Sequence, residues 1–320
     1  MSRRRQKRNQ EAFWSAHPGL FDVASDNRGG DNELVPMSDE VLKMPERLRY
    51  MSFGSGSSGN CAYLGTPSCG ILIDAGVDNN YVMDQLAANS IDFNSIKGIV
   101  LTHDHSDHVR FAYAILRRSK GMRIYATAKA FNGLLRRHSM SRRIKDYHTP
   151  IFKEFPFNIG DLTITAFETS HDGSDNVGYF IEGCGTSFVV ATDTGTITAR
   201  ADAYIRKTRN LMIESNYDAT MLRNGRYPMH LKARIASTTG HLDNADTARY
   251  LAAIAPAMEL RKIFLCHLSQ DNNTPQIALS TVRNALEAEN VQVTTDKVQD
   301  SRLYLDILPR LESSPLLVLD

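Results

Sequence analysis

Three imidazoles and the carboxylate of Asp107 fall within six residues, His103-Asp104-His105-Ser106-Asp107-His108. Imidazole nitrogen and carboxylate oxygen are the donors that zinc and similar first-row cations accept. The segment directly follows Gly98–Leu101, a short apolar run that reads as a buried strand ending at Thr102-His103. At a strand end His103 and His105 point to the same side, because side chains alternate with a period of two. Ser106 reads as the N-cap of a helix running from Asp107 to about Ser119. Asp107 and His108, in its first turn, can then face the same space.

Six residues supply too few donors for two cations with an open position, so further ligands are expected downstream at strand ends. Three candidates fit. His171 follows Leu162–Ser170, Asp193 follows the apolar run Phe188–Ala191, and His267 follows Ile263–Cys266. Singly, each reads as an ordinary loop residue. Together with the first cluster they read as one metal centre.

The elements that must position these groups are legible in outline. Tyr50–Phe53, Cys61–Leu64 and Gly70–Ile73 are strand-like and joined by glycine-rich turns, which predicts an antiparallel start to a sheet. Val82–Ala88 reads as a helix, Arg123–Ala126 as a strand and Lys129–Arg137 as a helix. Strands follow at Ile151–Phe155, Leu162–Phe167, Val177–Glu182, Thr186–Ala191 and Leu211–Glu214, the last after a short helix. Residues 218–254 look helical with breaks at Pro228 and Gly240. Lys262–Cys266, Val291–Thr295 and Leu303–Ile307 close the chain as strands around a helix at Pro275–Glu289. Strands followed by helices in each half predict packed sheets flanked by helices.

Composition narrows the function classes. The 320 residues are 42% hydrophobic and 23% charged, as in an ordinary globular protein. No run approaches the roughly 18 apolar residues of a membrane span, so no membrane partner is expected. Lys plus Arg (37) nearly balance Asp plus Glu (36), which excludes a wholesale basic coat. Any nucleic-acid contact must therefore come from a local patch. Cys61, Cys69, Cys184 and Cys266 form no C-x-x-C pair and read as reduced thiols of a cytoplasmic protein. Residues 1–46 read as a flexible basic and polar extension, with residues 47–320 as a single domain. The Arg/Lys cluster at the start is followed by no apolar stretch, so a cleaved signal peptide is not expected.

The series Asp74, His103/His105/Asp107/His108, His171, Asp193 and His267 resembles the ligand order of the metallo-β-lactamase superfamily. Longer words are similar to its YycJ/WalJ-like branch: Phe53-Gly54-Ser55-Gly56-Ser57-Ser58-Gly59-Asn60, Thr102–His108, Glu214-Ser215-Asn216-Tyr217-Asp218, Leu222–Pro228, Gly240-His241-Leu242-Asp243-Asn244 and His267–Asn273. The resemblance spans roughly residues 49–308. It implies an α/β (α+β) fold, a four-layer αβ/βα sandwich of two mixed β-sheets flanked by helices, with metals at one edge. It implies two divalent cations, Zn²⁺ or Mn²⁺. His103, His105 and His171 would hold one, and Asp107, His108 and His267 the other, with Asp193 between them. Asp74 would accept hydrogen bonds behind the ligand loop. The resemblance also discriminates. His105 is not the glutamate of oxygen-reducing di-iron relatives, and His108 is absent from the common zinc β-lactamases. Both departures imply a dinuclear hydrolase of phosphodiesters or thioesters, and the YycJ/WalJ-like resemblance implies a nuclease, a 5′–3′ exonuclease.

The expected chemistry is in-line attack on phosphorus by hydroxide generated between the cations, with Asp107 and Asp193 orienting the nucleophile. His241 is the candidate acid or phosphate contact, with a helix-cap histidine as the alternative. In the Gly/Ser loop, Ser57, Ser58 and Asn60 are candidates for binding a phosphate as an anion nest, against a tight hairpin that needs glycine for its geometry. Arg223 and Arg226 flank an expected Asn224-Gly225 turn and are candidate backbone contacts. Arg117, Arg118, Lys120, Arg136, Arg137, Arg142 and Arg143 would make a positive surface, or simply solvate helices. Two other functions compete with a nuclease: hydrolysis of a small phosphodiester or thioester, and a non-catalytic metal-containing scaffold.

Overall fold

The computed structural model describes residues 46–296 and 302–319. Most of the N-terminal extension expected at residues 1–46 lies outside them. Two mixed sheets stack face to face. The first runs β15-β1-β2-β3-β4-β5-β6, with β1 Leu48–Gly54, β2 Cys61–Gly65, β3 Gly70–Ile73, β4 Ile96–Val100, β5 Arg123–Ala126, β6 His148–Pro150 and β15 Leu317–Leu319. The second runs β13-β14-β12-β11-β10-β9-β8-β7, with β7 Phe157–Ile159, β8 Leu162–Glu168, β9 Val177–Gly183, β10 Thr186–Ala191, β11 Asn210–Glu214, β12 Lys262–Cys266, β13 Val293–Thr294 and β14 Leu303–Ile307.

Period-two alternation explains the layers. Ile71 and Ile73 face the second sheet, while Leu72 between them faces the helices outside. Phe188, Val190, Met212 and Phe264 answer from the second sheet, and Val189, Leu211 and Ile263 point to its own outer helices. Strands buried on both faces read as continuous apolar runs, as these do.

Strand direction puts the chemistry at one edge. β3, β4 and β5 are parallel, and so are β10, β11 and β12. β8 runs antiparallel to β9, which is antiparallel to β10, so β8 ends on the same side as β10. The residues after β3, β4, β8, β10, β11 and β12 therefore gather along one rim.

Two expected elements differ. The helix from Asp107 to Ser119 is two short ones, Ser106–Val109 and Ala112–Leu116, and Ser106 lies inside the first rather than capping it. The carbonyls of Asp107 and His108 accept from the backbone N–H groups of Asn60 and Ala75 (both 2.7 Å), and Phe111 N–H donates to the Ala75 carbonyl (2.8 Å). The loops after β1 and β3 thus take hydrogen bonds that a continuous helix would have used. The strand placed at Ile151–Phe155 lies earlier, at β6. Residues 151–155 instead cross to the second sheet, where Glu154, at φ 68°, donates its N–H to the Ala166 carbonyl.

Gly76 makes that docking possible, since a Cβ there would lie 1.5 Å from the Asp107 carbonyl oxygen. Gly76→Ala is expected to destabilise the protein by about 3 kcal/mol or more, as for severe overpacking, and to loosen the Asp107–His108 turn. A denaturant melt showing near-wild-type stability would contradict this packing.

Candidate metal centre

Seven groups converge on the rim. Their ligand-type atoms form overlapping sets, each within 4.8 Å: His103, His105 and His171; His103, His108 and Asp193; Asp107, His108 and His267. All seven residues expected as ligands are in these sets. A fourth set joins Asp193 and His267 to Glu214 and His241.

Distances define the arrangement. His105 Nδ1 lies 3.3 Å from His171 Nε2. His108 Nε2 lies 3.3 Å from one oxygen of Asp193 and 3.6 Å from Asp107. The other oxygen of Asp193 lies 3.4 Å from His267 Nδ1 and 3.8 Å from His171 Nε2. Asp193 therefore sits between the two histidine groups. Asp74, Asp193 and His267 have φ values of 59°, 48° and 56°. Left-handed backbone at non-glycine residues costs about 1–3 kcal/mol and persists where surroundings impose it, often at functional sites.

Three of the rings are held from behind. His108 Nδ1 donates to Asp74 (2.7 Å), which also accepts from the N–H and hydroxyl of Thr102. His171 Nδ1 donates to the Gly240 carbonyl (2.9 Å), and His103 Nδ1 meets the Thr102 hydroxyl (3.0 Å). Backing acceptors of this kind fix tautomer and orientation in metal sites. Asp104, within the histidine segment, instead braces the loop by accepting from the Ser174 N–H and hydroxyl.

The residues fit divalent cations. His103 Nε2 and His267 Nε2 are buried and have no hydrogen-bond partner. Buried polar atoms without partners are rare and call for an explanation, an ion among them. The charges point the same way. Burial alone would raise the Asp193 carboxyl, yet His267 and His108 hold it well below the usual carboxylate range. Burial alone would lower His267, yet Asp193, Asp107 and Glu214 push it up to about 10. His108 is likewise raised against its burial, by Asp193, Asp74 and Asp107. His103 is lowered, first by burial and then by His108.

Glu214 was assigned no role from the sequence. It is fully buried, accepts from His241 Nδ1 (2.7 Å) and His267 Nδ1 (2.9 Å), and takes the Thr194 N–H on its other oxygen (2.8 Å). The available signal was an acid closing the apolar run Leu211–Ile213, the same cue that marks Asp193 and His267. The His241 side chain is 15% exposed, at the mouth of the cluster.

The Gly/Ser loop is a pinned turn. Backbone N–H groups of Ser55, Gly56, Gly59 and Asn60 all donate within the protein, to the carbonyl of Pro309, the side chain of Asn60 and the carbonyls of Gly56 and Asp107. Those four donors are thus already used within the protein. Asn60 is buried with its amide near His108 and Asp107, whereas Ser57 and Ser58 are exposed. Arg223 is exposed in the last turn of the helix Ala219–Asn224, and Arg226 is exposed just beyond it. The basic cluster divides. Arg137 lies at the rim, 3.4 Å from Asp104, while Arg117 and Arg143 line a cavity of about 530 Å³ with Arg123, at the start of β5 and away from the rim. Among the described residues the four cysteines are free, and no helix is long and apolar enough to cross a membrane.

Residues 70–267 match the family described as the Beta-lactamase superfamily domain. The chain is 32% identical over 252 residues to exodeoxyribonuclease YycJ of Bacillus anthracis, covering 77% of this chain and 92% of that protein. It is 33% identical over 256 residues to exodeoxyribonuclease WalJ of Streptococcus pneumoniae, covering 79% and 94%. The fold is similar to that of Zn²⁺-bound PqqB from Methylobacterium extorquens, with a TM-score of 0.58 at 16% identity, covering 83% of this chain and 99% of that one.

Proposed function

The chain belongs to the metallo-β-lactamase superfamily, in its YycJ/WalJ branch, and from that premise we propose that it is a metal-dependent phosphodiesterase of nucleic acid, a 5′–3′ exonuclease with a dinuclear centre. The observation that carries this reading is the convergence of seven donors from separate strand ends, with Asp193 between two histidine groups. The relatives named exodeoxyribonucleases support the substrate class.

In this reading His103, His105 and His171 would hold one cation and Asp107, His108 and His267 the other, with Asp193 placed between the two groups. Divalent cations bound there, Zn²⁺ or Mn²⁺, would make hydroxide available near neutral pH and offset charge on a phosphate. Asp107 orients the nucleophile from the open side, where its side chain is 17% exposed. Glu214 accepts the Nδ1 proton of His241, which leaves Nε2 as the nitrogen that serves the departing oxygen. Ser57, Ser58, Arg223 and Arg226 are exposed and are assigned to the strand backbone. Arg137 beside Asp104 and Arg234 beside Asp172 put cations at the rim, which favours a polyanion over a small neutral ester.

The test incubates metal-loaded protein with labelled single- and double-stranded DNA and RNA of defined 5′ ends. Stepwise release of mononucleotides from the 5′ end supports the reading. Turnover of a small ester with no cleavage of any polymer would replace it.

A second expectation concerns protons. With His267 pushed up to about 10, its ring carries a proton at pH 7 that a cation must displace. Zn²⁺ binding should therefore release protons at pH 7, and affinity should rise between pH 6 and 8. Calorimetry in buffers of different ionisation heat measures this. No release would remove His267 from the ligand set.

A further inference from the structure

Asp172 and Arg234 form a charged link between the surface and the histidine cluster. Asp172 directly follows His171. One of its oxygens is buried without a hydrogen-bond partner and lies 3.5 Å from both His105 Nε2 and His171 Nε2. Its other oxygen accepts from Arg234 Nε at 2.6 Å. One carboxylate thus faces the imidazoles with one oxygen and anchors a guanidinium with the other.

Arg234 stands on the helix Met229–Ile235, in which no residue is buried. Such a helix gains little from packing, and Met229 is 77% exposed. What ties this segment to the rim lies at its far end. The Gly240 carbonyl accepts from His171, the Thr238 carbonyl accepts from Ser170 (2.8 Å), and His241 N–H donates to the Ile235 carbonyl (2.9 Å). These bonds hold Arg234 beside the cluster although its own helix buries nothing.

The Arg234 side chain is 52% exposed, and only its Nε is engaged. Its two terminal amino groups meet no acceptor among the described residues. That edge of a guanidinium matches two oxygens of a phosphate. A core ion pair would have buried the arginine. An ordinary surface pair would not aim its carboxylate at two rings of the proposed metal centre.

We propose that Arg234, positioned by Asp172, binds a phosphate of the nucleic-acid strand at the mouth of the histidine cluster. The assignment rests on the nuclease reading above. Asp172 keeps the guanidinium in register with the cluster, and the phosphate takes the open edge.

The test uses the metal-loaded protein and a fluorescein-labelled, fully phosphorothioate (dT)12, which keeps its charges and resists cleavage. Anisotropy gives Kd across a salt series. Arg234→Gln is expected to weaken binding about tenfold at low salt. It should also lower the slope of log Kd against log salt by about 0.7, the value of one phosphate contact on a single strand. Arg234→Lys should recover the slope but only part of the affinity, since it keeps charge without the fork. With cleavable (dT)12, KM should rise about tenfold and kcat change less, with metal content by mass spectrometry unaltered. Wild-type binding that Arg234→Gln leaves unchanged overturns this assignment alone. Binding without cleavage of any polymer by the wild type overturns the exonuclease reading alone. No binding by the wild type overturns both.

Discussion

Asp193→Ala is expected to cut kcat on a nucleic-acid substrate by at least about 10³-fold, roughly 4 kcal/mol of transition-state stabilisation, and to lower the bound metal content. Asp193 touches both histidine groups, so its loss cannot be confined to one. It also supplies negative charge that offsets His108 and His267, the two rings raised above the ordinary imidazole range. Removing one partner of a buried charged set leaves the others uncompensated. The thermal transition of metal-stripped protein should therefore fall as well. Asp193→Asn separates the effects, because it keeps the shape and the Thr192 contact (2.8 Å) while removing the charge. Near-wild-type turnover by either variant, with metal content preserved, would remove Asp193 from the centre of the reaction.

The second large effect belongs to His241. With Nδ1–H given to Glu214, a protonated ring can donate only from Nε2. His241→Ala should lower kcat on an oligonucleotide by about 10²–10³-fold, within the usual range for a general acid. The loss should shrink to a few-fold on a p-nitrophenyl phosphodiester, whose leaving group departs without a proton. Equal losses on both substrates would make His241 a charge or packing contact instead. Glu214→Gln should show the same leaving-group pattern more weakly. Its loss would also disturb His267, which shares the carboxylate at 2.9 Å.

Both arguments depend on how much of the site could be read without the fold. The seven donors were legible because four crowd into the six residues after one apolar run, and His171, Asp193 and His267 each follow a strand-like run of their own. Helix starts obey a similarly local rule. Asp78, Thr127, Asp243 and Thr274 each cap the helix they precede through their own side chains. Where a cap was misplaced, at Ser106, the competing bonds came from Asn60 and Ala75, more than thirty residues upstream.

What the sequence by itself determined is the set of ligand types, the strands they follow and the glycines that permit close approach, because alternation, capping and sterics act over a few residues. Tertiary structure decided which groups share a partner. Glu214 serves two histidines, Asp172 meets Arg234 across 62 positions, and four backbone donors of the Gly/Ser loop were already spent inside the protein. Those facts follow from the register of parallel strands and the packing of their loops, which bring together residues whose separation along the chain carries no trace of the meeting.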